Sequence, residues 1–256
     1  MSSARADKLK TLLDAWEPNS VATNPWLKRL GISSQDLQNY TTSRWLVSLG
    51  KGAFKRPMET VTWQGALHSL QTQLNLPVHV GALTALEMTG NRHYVRFAPG
   101  KAYLFSPLNV VLPLWFRNNW ADQVRHVQTK LLPPDLGVTQ LDTPQGFALK
   151  AASVERSALE LLHLAPKEFD LVEASMLIES MTSIRPALMQ ELLEQCASIK
   201  VRRLFLYLAE RANLPVVRHL DLARIDLGAG DRSLVPNGRY VAKYQLTLPR
   251  ELVGHG

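Results

Sequence analysis

Over residues 8–16, Leu9, Leu12, Leu13 and Trp16 recur at three- and four-residue spacing, while Lys8, Lys10 and Asp14 fall on the opposite side. This is the stripe of a helix packed on one face. Pro18 and Asn19 end the pattern. A second helix opens at Asn24 and Pro25, a capping residue followed by a proline whose fixed φ and missing N–H suit a first turn. Trp26, Leu27 and Leu30 form its inner side, with Lys28 and Arg29 outside. Gly31 fits the left-handed residue that closes a helix. A third helix is predicted over residues 33–43: Ser33 and Ser34 offer caps, Asp36 complements the helix dipole, and Leu37 and Tyr40 point inward. Gln35, Gln38, Asn39 and Thr42 remain on its outer face.

Trp45 to Leu49 then reads as a strand, Gly50, Lys51 and Gly52 as a tight turn, and Ala53 to Arg56 as the returning strand. Two helices joined by a short turn, then a hairpin, form a winged helix-turn-helix layout. Residues 62–74 predict an amphipathic helix with Trp63, Ala66, Leu67, Leu70 and Leu74 inward, and residues 79–88 a short companion. Strands are expected at residues 93–97, after which Pro99 and Gly100 turn the chain, at 102–105, at 110–116 and at 147–150, with a loop over 131–146. Helical spacing resumes over residues 154–164, 170–181, 186–196 and 199–212, and residues 240–248 alternate like a strand. The fold class is α+β: an N-terminal winged helix-turn-helix over residues 1–90, then a larger mixed C-terminal domain over 91–256 that ends in a helical bundle and a terminal strand.

The 256 residues suit one or two domains at ~150 residues each. Apolar residues make up 46% and charged residues 20%, a globular composition that excludes a disordered or collagen-like chain. The longest apolar run, residues 204–209, is too short to span a bilayer. The first residues lack the apolar core of a signal peptide, and the single cysteine, Cys196, rules out an internal disulfide. The expectation is a cytoplasmic protein with no membrane partner.

Charge changes this picture. The formal net charge is +7, divided as +5 over residues 1–56, −2 over 57–184 and +4 over 185–256. A basic excess concentrated on a helix-turn-helix points to nucleic acid. Gln35, Gln38, Asn39 and Thr42 are the side chains expected to read bases, because Gln and Asn can bond adenine through paired donor and acceptor and Thr can meet a thymine methyl. Lys28, Arg29, Ser34, Arg44, Lys51, Lys55 and Arg56 are expected to hold phosphates. Lys200, Arg202 and Arg203, with Arg185, Arg211, Arg218 and Arg224 near them, form a possible second basic face; local carboxylate partners such as Glu194 are the competing reading.

Catalytic signatures are missing. The seven histidines are scattered and lack metal-ligand spacing, Gly50-Lys51-Gly52 lacks the rest of a phosphate-binding loop, and no nucleophile-elbow motif occurs. Cys196 reads as a small core residue, and Glu155, Glu160, Glu173 and Glu179 as solvated helix faces. No cofactor, metal or catalytic residue is expected.

The stretches SRWLVSLGKGAFKRP (43–57), VTWQGALHSLQTQLNLPVHVGALTALEMTG (61–90), KAYLFSP (101–107), SVERSALELLHLAPKE (153–168), SIKVRRLFLYLAERANLP (198–215) and KYQLTLPREL (243–252) resemble the AbiEi family of bacterial antitoxins over nearly the whole chain. The resemblance implies an N-terminal winged helix-turn-helix whose reading helix and wing map onto residues 33–56, followed by a C-terminal antitoxin domain. It implies repression of the chain's own operon through inverted repeats in double-stranded DNA. It also implies neutralisation of a nucleotidyltransferase toxin without a stable complex, in a type IV toxin–antitoxin system tied to abortive phage infection. The implied second basic contact with DNA would fall on Lys200, Arg202 and Arg203. Two alternatives stay open: a winged-helix transcriptional regulator with a ligand- or partner-sensing C-terminal domain and no antitoxin activity, and an enzyme with a DNA-docking domain.

Overall fold

A computed structural model describes residues 3–89 and 100–254. The described chain is α+β and divides into two compact units: residues 1–79, 100–128 and 140–150 in the first, and 80–99, 129–139 and 151–256 in the second.

The first unit begins with α1 (Ser3–Ala15), β1 (Ala22–Thr23), α2 (Asn24–Arg29), α3 (Ser34–Thr42) and a hairpin of β2 (Val47–Gly50) and β3 (Ala53–Lys55). The strands form a sheet in the order β1-β3-β2, all antiparallel. Leu9, Leu12 and Trp16 of the first helical segment meet Leu27, Ile32, Tyr40 and Leu46 in one buried cluster. The apolar stripe of residues 8–16 therefore packs as its spacing predicts. At the start of α2 the capping position falls on Thr23 rather than Asn24, with no side-chain cap bond.

Helix α4 (Trp63–Thr72) follows, and polar side chains along and just beyond it complete neighbouring backbone. Ser69 Oγ accepts from Val21 N at 2.9 Å, and Gln73 Oε1 accepts from Thr23 N at 2.9 Å while its Nε2 donates to Val21 O at 2.8 Å. Gln71 Nε2 donates to Val78 O at 2.8 Å, and its Oε1 accepts from Lys150 N at 2.9 Å. Gly65 permits this approach, since a Cβ there would stand 2.0 Å from Asn19 O.

A five-stranded sheet runs in the order β6-β5-β4-β8-β7, from β4 (His79–Val80), β5 (Ala102–Ser106), β6 (Val124–Gln128), β7 (Val138–Asp142) and β8 (Ala148–Ala152). Strands β5 and β6 pair in parallel from Ala102↔Val124 to Ser106↔Gln128. Parallel neighbours need the chain to return between them. That return holds α6 (Leu114–Trp120), where the apolar run at 110–116 suggested another strand. Two further expectations are corrected here: the loop over 131–146 contains β7, and the companion helix of 79–88 is β4 followed by α5 (Ala82–Met88). Strand β6, rich in charge and polarity, was not foreseen. The strand expected at residues 93–97, and Pro99 after it, lie outside the described residues.

The second unit is built around α7 (Val154–Leu164), with α8 (Leu171–Glu179), α9 (Pro186–Gln195) and α10 (Ile199–Arg211). Ser153 and Asp170 cap α7 and α8 with their side chains. The terminal strand is interrupted: β10 (Arg239–Val241) and β11 (Leu246–Leu248) are separated by a short turn of helix ending in left-handed Gln245. A small strand β9 (Arg232–Ser233) completes a sheet in the order β10-β11-β9.

Glu155 and Glu160 are buried rather than solvated. Glu160 accepts from Arg156 Nε at 2.7 Å and from Ala82 N at 3.0 Å, and Arg156 also donates to Pro133 O and Leu136 O. Glu155 accepts from Arg185 Nη2 at 2.9 Å. Burial raises the carboxyl, but the bonds from Arg185 outweigh it and hold Glu155 below its ordinary pKa. Glu155 is matched by a cation 30 residues away, and Glu160 by Arg156 one turn before it together with the distant Ala82 N.

The three cations of the expected second basic face are also turned inward. Arg203 is only 1% exposed and donates to Leu227 O, Gly228 O and Gly230 O at 2.7–3.0 Å. Arg202, buried, bonds Asp226 O and pairs with the Asp226 carboxylate at 3.6 Å. Lys200 donates to His163 O and Ala165 O at 3.0 and 2.5 Å, and burial brings its pKa down to about 8. Arg185, Arg211 and Arg224 pair with Glu155, Glu179 and Glu194. Each of these six cations thus has a carbonyl or carboxylate partner within the chain.

Replacing Arg203 with Met should destabilise the fold by roughly 2–4 kcal/mol by stripping buried carbonyls of their donor, read as a drop in urea midpoint. Lys200 has a folded pKa of about 8, below its ordinary 10.5, so the unfolded chain binds more protons between these values and stability should rise with pH across them. Denaturation of wild type and Lys200→Met at pH 7.5 and 9.5 should show that rise only in wild type.

Candidate nucleic-acid interface

The outer face of α3 is the feature of greatest chemical interest in the first unit. Its start is fixed by a reciprocal cap: Ser33 Oγ accepts from Asp36 N at 3.1 Å while Asp36 Oδ2 accepts from Ser33 N at 3.1 Å and Ser33 Oγ at 2.7 Å. These bonds from Ser33, with Lys8 Nζ at 3.3 Å, hold the Asp36 carboxyl below its ordinary pKa. The turn before it closes as the sequence requires, with Gly31 at φ +75° and Ile32 N donating to Leu27 O at 3.0 Å. At the other end, Trp45 N and Leu46 N both donate to Tyr40 O, and Arg44 adopts the left-handed region at φ +59°. Tyr40 and Asp36 face inward and are buried.

Gln35, Gln38 and Thr42 stand exposed on α3, and the Thr42 hydroxyl donates to Gln38 O at 2.9 Å. Asn39 differs from the expectation. It is half-buried, and its amide nitrogen is enclosed without a hydrogen-bond partner among the described residues. The exposed outer row is Gln35, Gln38, Thr41 and Thr42, with the Thr41 hydroxyl donating to Leu37 O at 2.8 Å. Thr41 was missed, although its place three residues after Gln38 marks it as outward-facing. Trp45 was also missed as a surface group: at 42% exposure it lies outward because Leu46, beside it, is buried.

The expected phosphate-holding residues divide into two sets. Lys28, Ser34, Arg44 and Lys51 are exposed, and none of their side chains makes a hydrogen bond or ion pair among the described residues. Arg29 is exposed but donates to Gln73 O at 2.7 Å. Lys55 donates to Glu59 O at 2.8 Å. Arg56 lies over the Trp16 ring at 5.3 Å, donates to Leu13 O at 2.8 Å and to Trp16 O, and stands 3.8 Å from Glu59. Lys55 and Arg56 therefore brace the hairpin's return rather than extend into solvent. The unit thus offers an exposed row of uncharged donors and acceptors on α3 and exposed cations on α2, after α3 and at the hairpin tip, groups that can meet base edges and phosphates respectively.

Among the described residues no group of three or more His, Cys, Asp or Glu is placed to hold a metal ion, and no helix is long and apolar enough to cross a membrane. His126 Nε2 lies 2.7 Å from Ser106 Oγ and His163 Nε2 3.4 Å from Thr129 Oγ1, and burial lowers the pKa of both rings.

Ser33→Ala should lower stability by about 1 kcal/mol through loss of the cap. Because the Asp36 carboxyl is lowered in the fold, its contribution is present above its ordinary pKa and fades as acid protonates it. The gap between wild type and Asp36→Asn in thermal melts should narrow below pH 4.

None of the curated proteins matches the chain. Among solved structures, the crystal structure of the RV2827C protein from Mycobacterium tuberculosis is similar over 98% of this chain and 94% of that one, with a TM-score of 0.65 and 16% identity, a likeness of fold. Residues 5–97 match the N-terminal domain of the AbiEi antitoxin transcriptional regulators, and residues 99–249 match the AbiEi antitoxin transcriptional regulators of type IV toxin–antitoxin systems. The chain thus belongs to the AbiEi family of antitoxin transcriptional regulators of type IV toxin–antitoxin systems.

Proposed function

We propose that residues 1–90 carry a winged helix-turn-helix that binds inverted repeats in double-stranded DNA upstream of the chain's own operon and represses it. Helix α3 is the reading helix, and the β2–β3 hairpin is the wing. The observation that carries this reading is the exposed, uncharged outer row of α3, Gln35, Gln38 and Thr42, together with the exposed cations Lys28, Arg44 and Lys51, whose side chains have no partner among the described residues. Gln38 and Gln35 contact base edges, Thr42 offers a methyl to thymine, and the cations and Ser34 meet phosphates. Arg29, Lys55 and Arg56 act through the shape of the module, since their donors are held by its own carbonyls.

Residues 91–256 form the antitoxin domain of this reading. There the chain counteracts a nucleotidyltransferase toxin without a stable complex, in a cytoplasmic system of abortive phage infection. No catalytic step is assigned to it, and no cofactor.

Gel shifts with DNA from directly upstream, at two salt concentrations, test the DNA half. Gln38→Ala should cost about 1–3 kcal/mol on the specific site and relax base preference, whereas Lys51→Ala should weaken specific and random duplexes alike and lower the salt slope by about one. Equal losses on both duplexes for both variants would remove α3 as the reader. Co-expression with the neighbouring nucleotidyltransferase tests the other half: relief of growth arrest is expected. Persistent arrest alongside intact repression would leave a transcriptional regulator without antitoxin activity.

A further inference from the structure

The tip of the β2–β3 hairpin is held from two sides. On one, Asn24 N donates to Gly52 O at 2.9 Å and continues the pairing of β1 with β3. On the other stands α6, an element some 70 residues further along the chain. Asn119 Nδ2 donates to Leu49 O at 2.8 Å and to Trp115 O at 2.7 Å, so both protons of its amide are engaged. Gly50, at φ +134°, lies so close to the helix that a Cβ there would be 3.1 Å from the Cβ of Trp115. Trp115 is fixed in turn against Phe116 and Trp120, with ring centroids 6.0 and 6.2 Å apart. The next residue after Gly50 is Lys51, the exposed cation of the tip.

Strands of four and three residues joined by a tight turn have little stability of their own. Where Lys51 sits is therefore decided by what grips Leu49, Gly50 and Gly52. We infer that Asn119 is a positioning residue for DNA binding: through its bond to Leu49 O, α6 holds the hairpin so that Lys51 reaches a phosphate. The DNA-binding surface is then completed by a segment beyond residue 100 that carries none of its reading residues. This inference rests on the DNA-binding reading above.

The test uses the full chain and the upstream duplex, with dissociation constants measured by fluorescence anisotropy over a salt series. Asn119→Ala removes no charge. It should nonetheless weaken binding about three- to tenfold and flatten the salt dependence by about the slope of one phosphate contact, as Lys51→Ala does. Lys51→Ala should add less than about twofold in the Asn119→Ala background, because the contact is already lost. Gly50→Ala, which pushes the hairpin off Trp115 by a different route, should flatten the slope in the same way. If wild type binds but both variants keep its salt slope and the Lys51 and Asn119 losses multiply in full, the inference is overturned while the DNA reading stands. If wild type fails to bind the duplex, the DNA reading itself falls.

Discussion

Strand β1 lies at the edge of its sheet, and its outward backbone groups are sealed from water by α4. A buried amide or carbonyl without a partner costs about 1–3 kcal/mol. Ser69, Gln71 and Gln73 remove that cost by acting as a substitute strand: Gln73 closes the backbone of Val21 and Thr23, and Gln71 reaches Val78 and Lys150. The backbone at Val21 and Thr23, and that at Val78 and Lys150, is thus registered against this one helix and the residue that follows it. Gly65 is the steric condition for it, because any side chain there would strike the Asn19 carbonyl.

The same requirement shapes the second unit, with arginine in place of glutamine. Arg203 gathers the carbonyls of the 227–230 loop, and Arg156 those of residues 133–136 while pairing with Glu160. A guanidinium suits this task, since its five donors lie in one plane and can serve several carbonyls at once. Loops without regular pairing present many such carbonyls. Part of the basic excess of this chain is thus structural, and the charge of the C-terminal segment says less about an anionic partner than its sum suggests.

In the first unit the basic side chains divide into two sets. Lys28, Arg44 and Lys51 are exposed with no side-chain partner among the described residues, whereas Arg29, Lys55 and Arg56 close backbone carbonyls. Neighbours in sequence such as Lys28 and Arg29 fall on opposite sides of this division. Side-chain length and flexibility allow either fate, and only the location of an open carbonyl decides it.

Local order was legible from the residues. The apolar stripe of residues 8–16, the cap at Ser33 with Asp36, the left-handed Gly31 and the Gly50-Lys51-Gly52 turn each follow from interactions within a few positions. The four C-terminal helices likewise follow from three- and four-residue spacing. What the residues alone could not determine depends on distant partners. Helix α6 replaced an expected strand because β5 and β6 run parallel and need a return between them. Glu155, Arg202 and Arg203 went inward because elements far along the chain supply their counter-groups, and Glu160 because the distant Ala82 N adds to the Arg156 one turn before it. Asn39 turned from the outer face for a similar reason, since the end of a helical stripe is set by what packs against it. Sequence by itself determined the N-terminal and C-terminal helices, the cap at Ser33, the hairpin turn and the family, because those signals are local; tertiary structure decided the middle strands and which polar groups remain free to meet a ligand, because a buried backbone group takes whichever donor or acceptor the fold brings within reach.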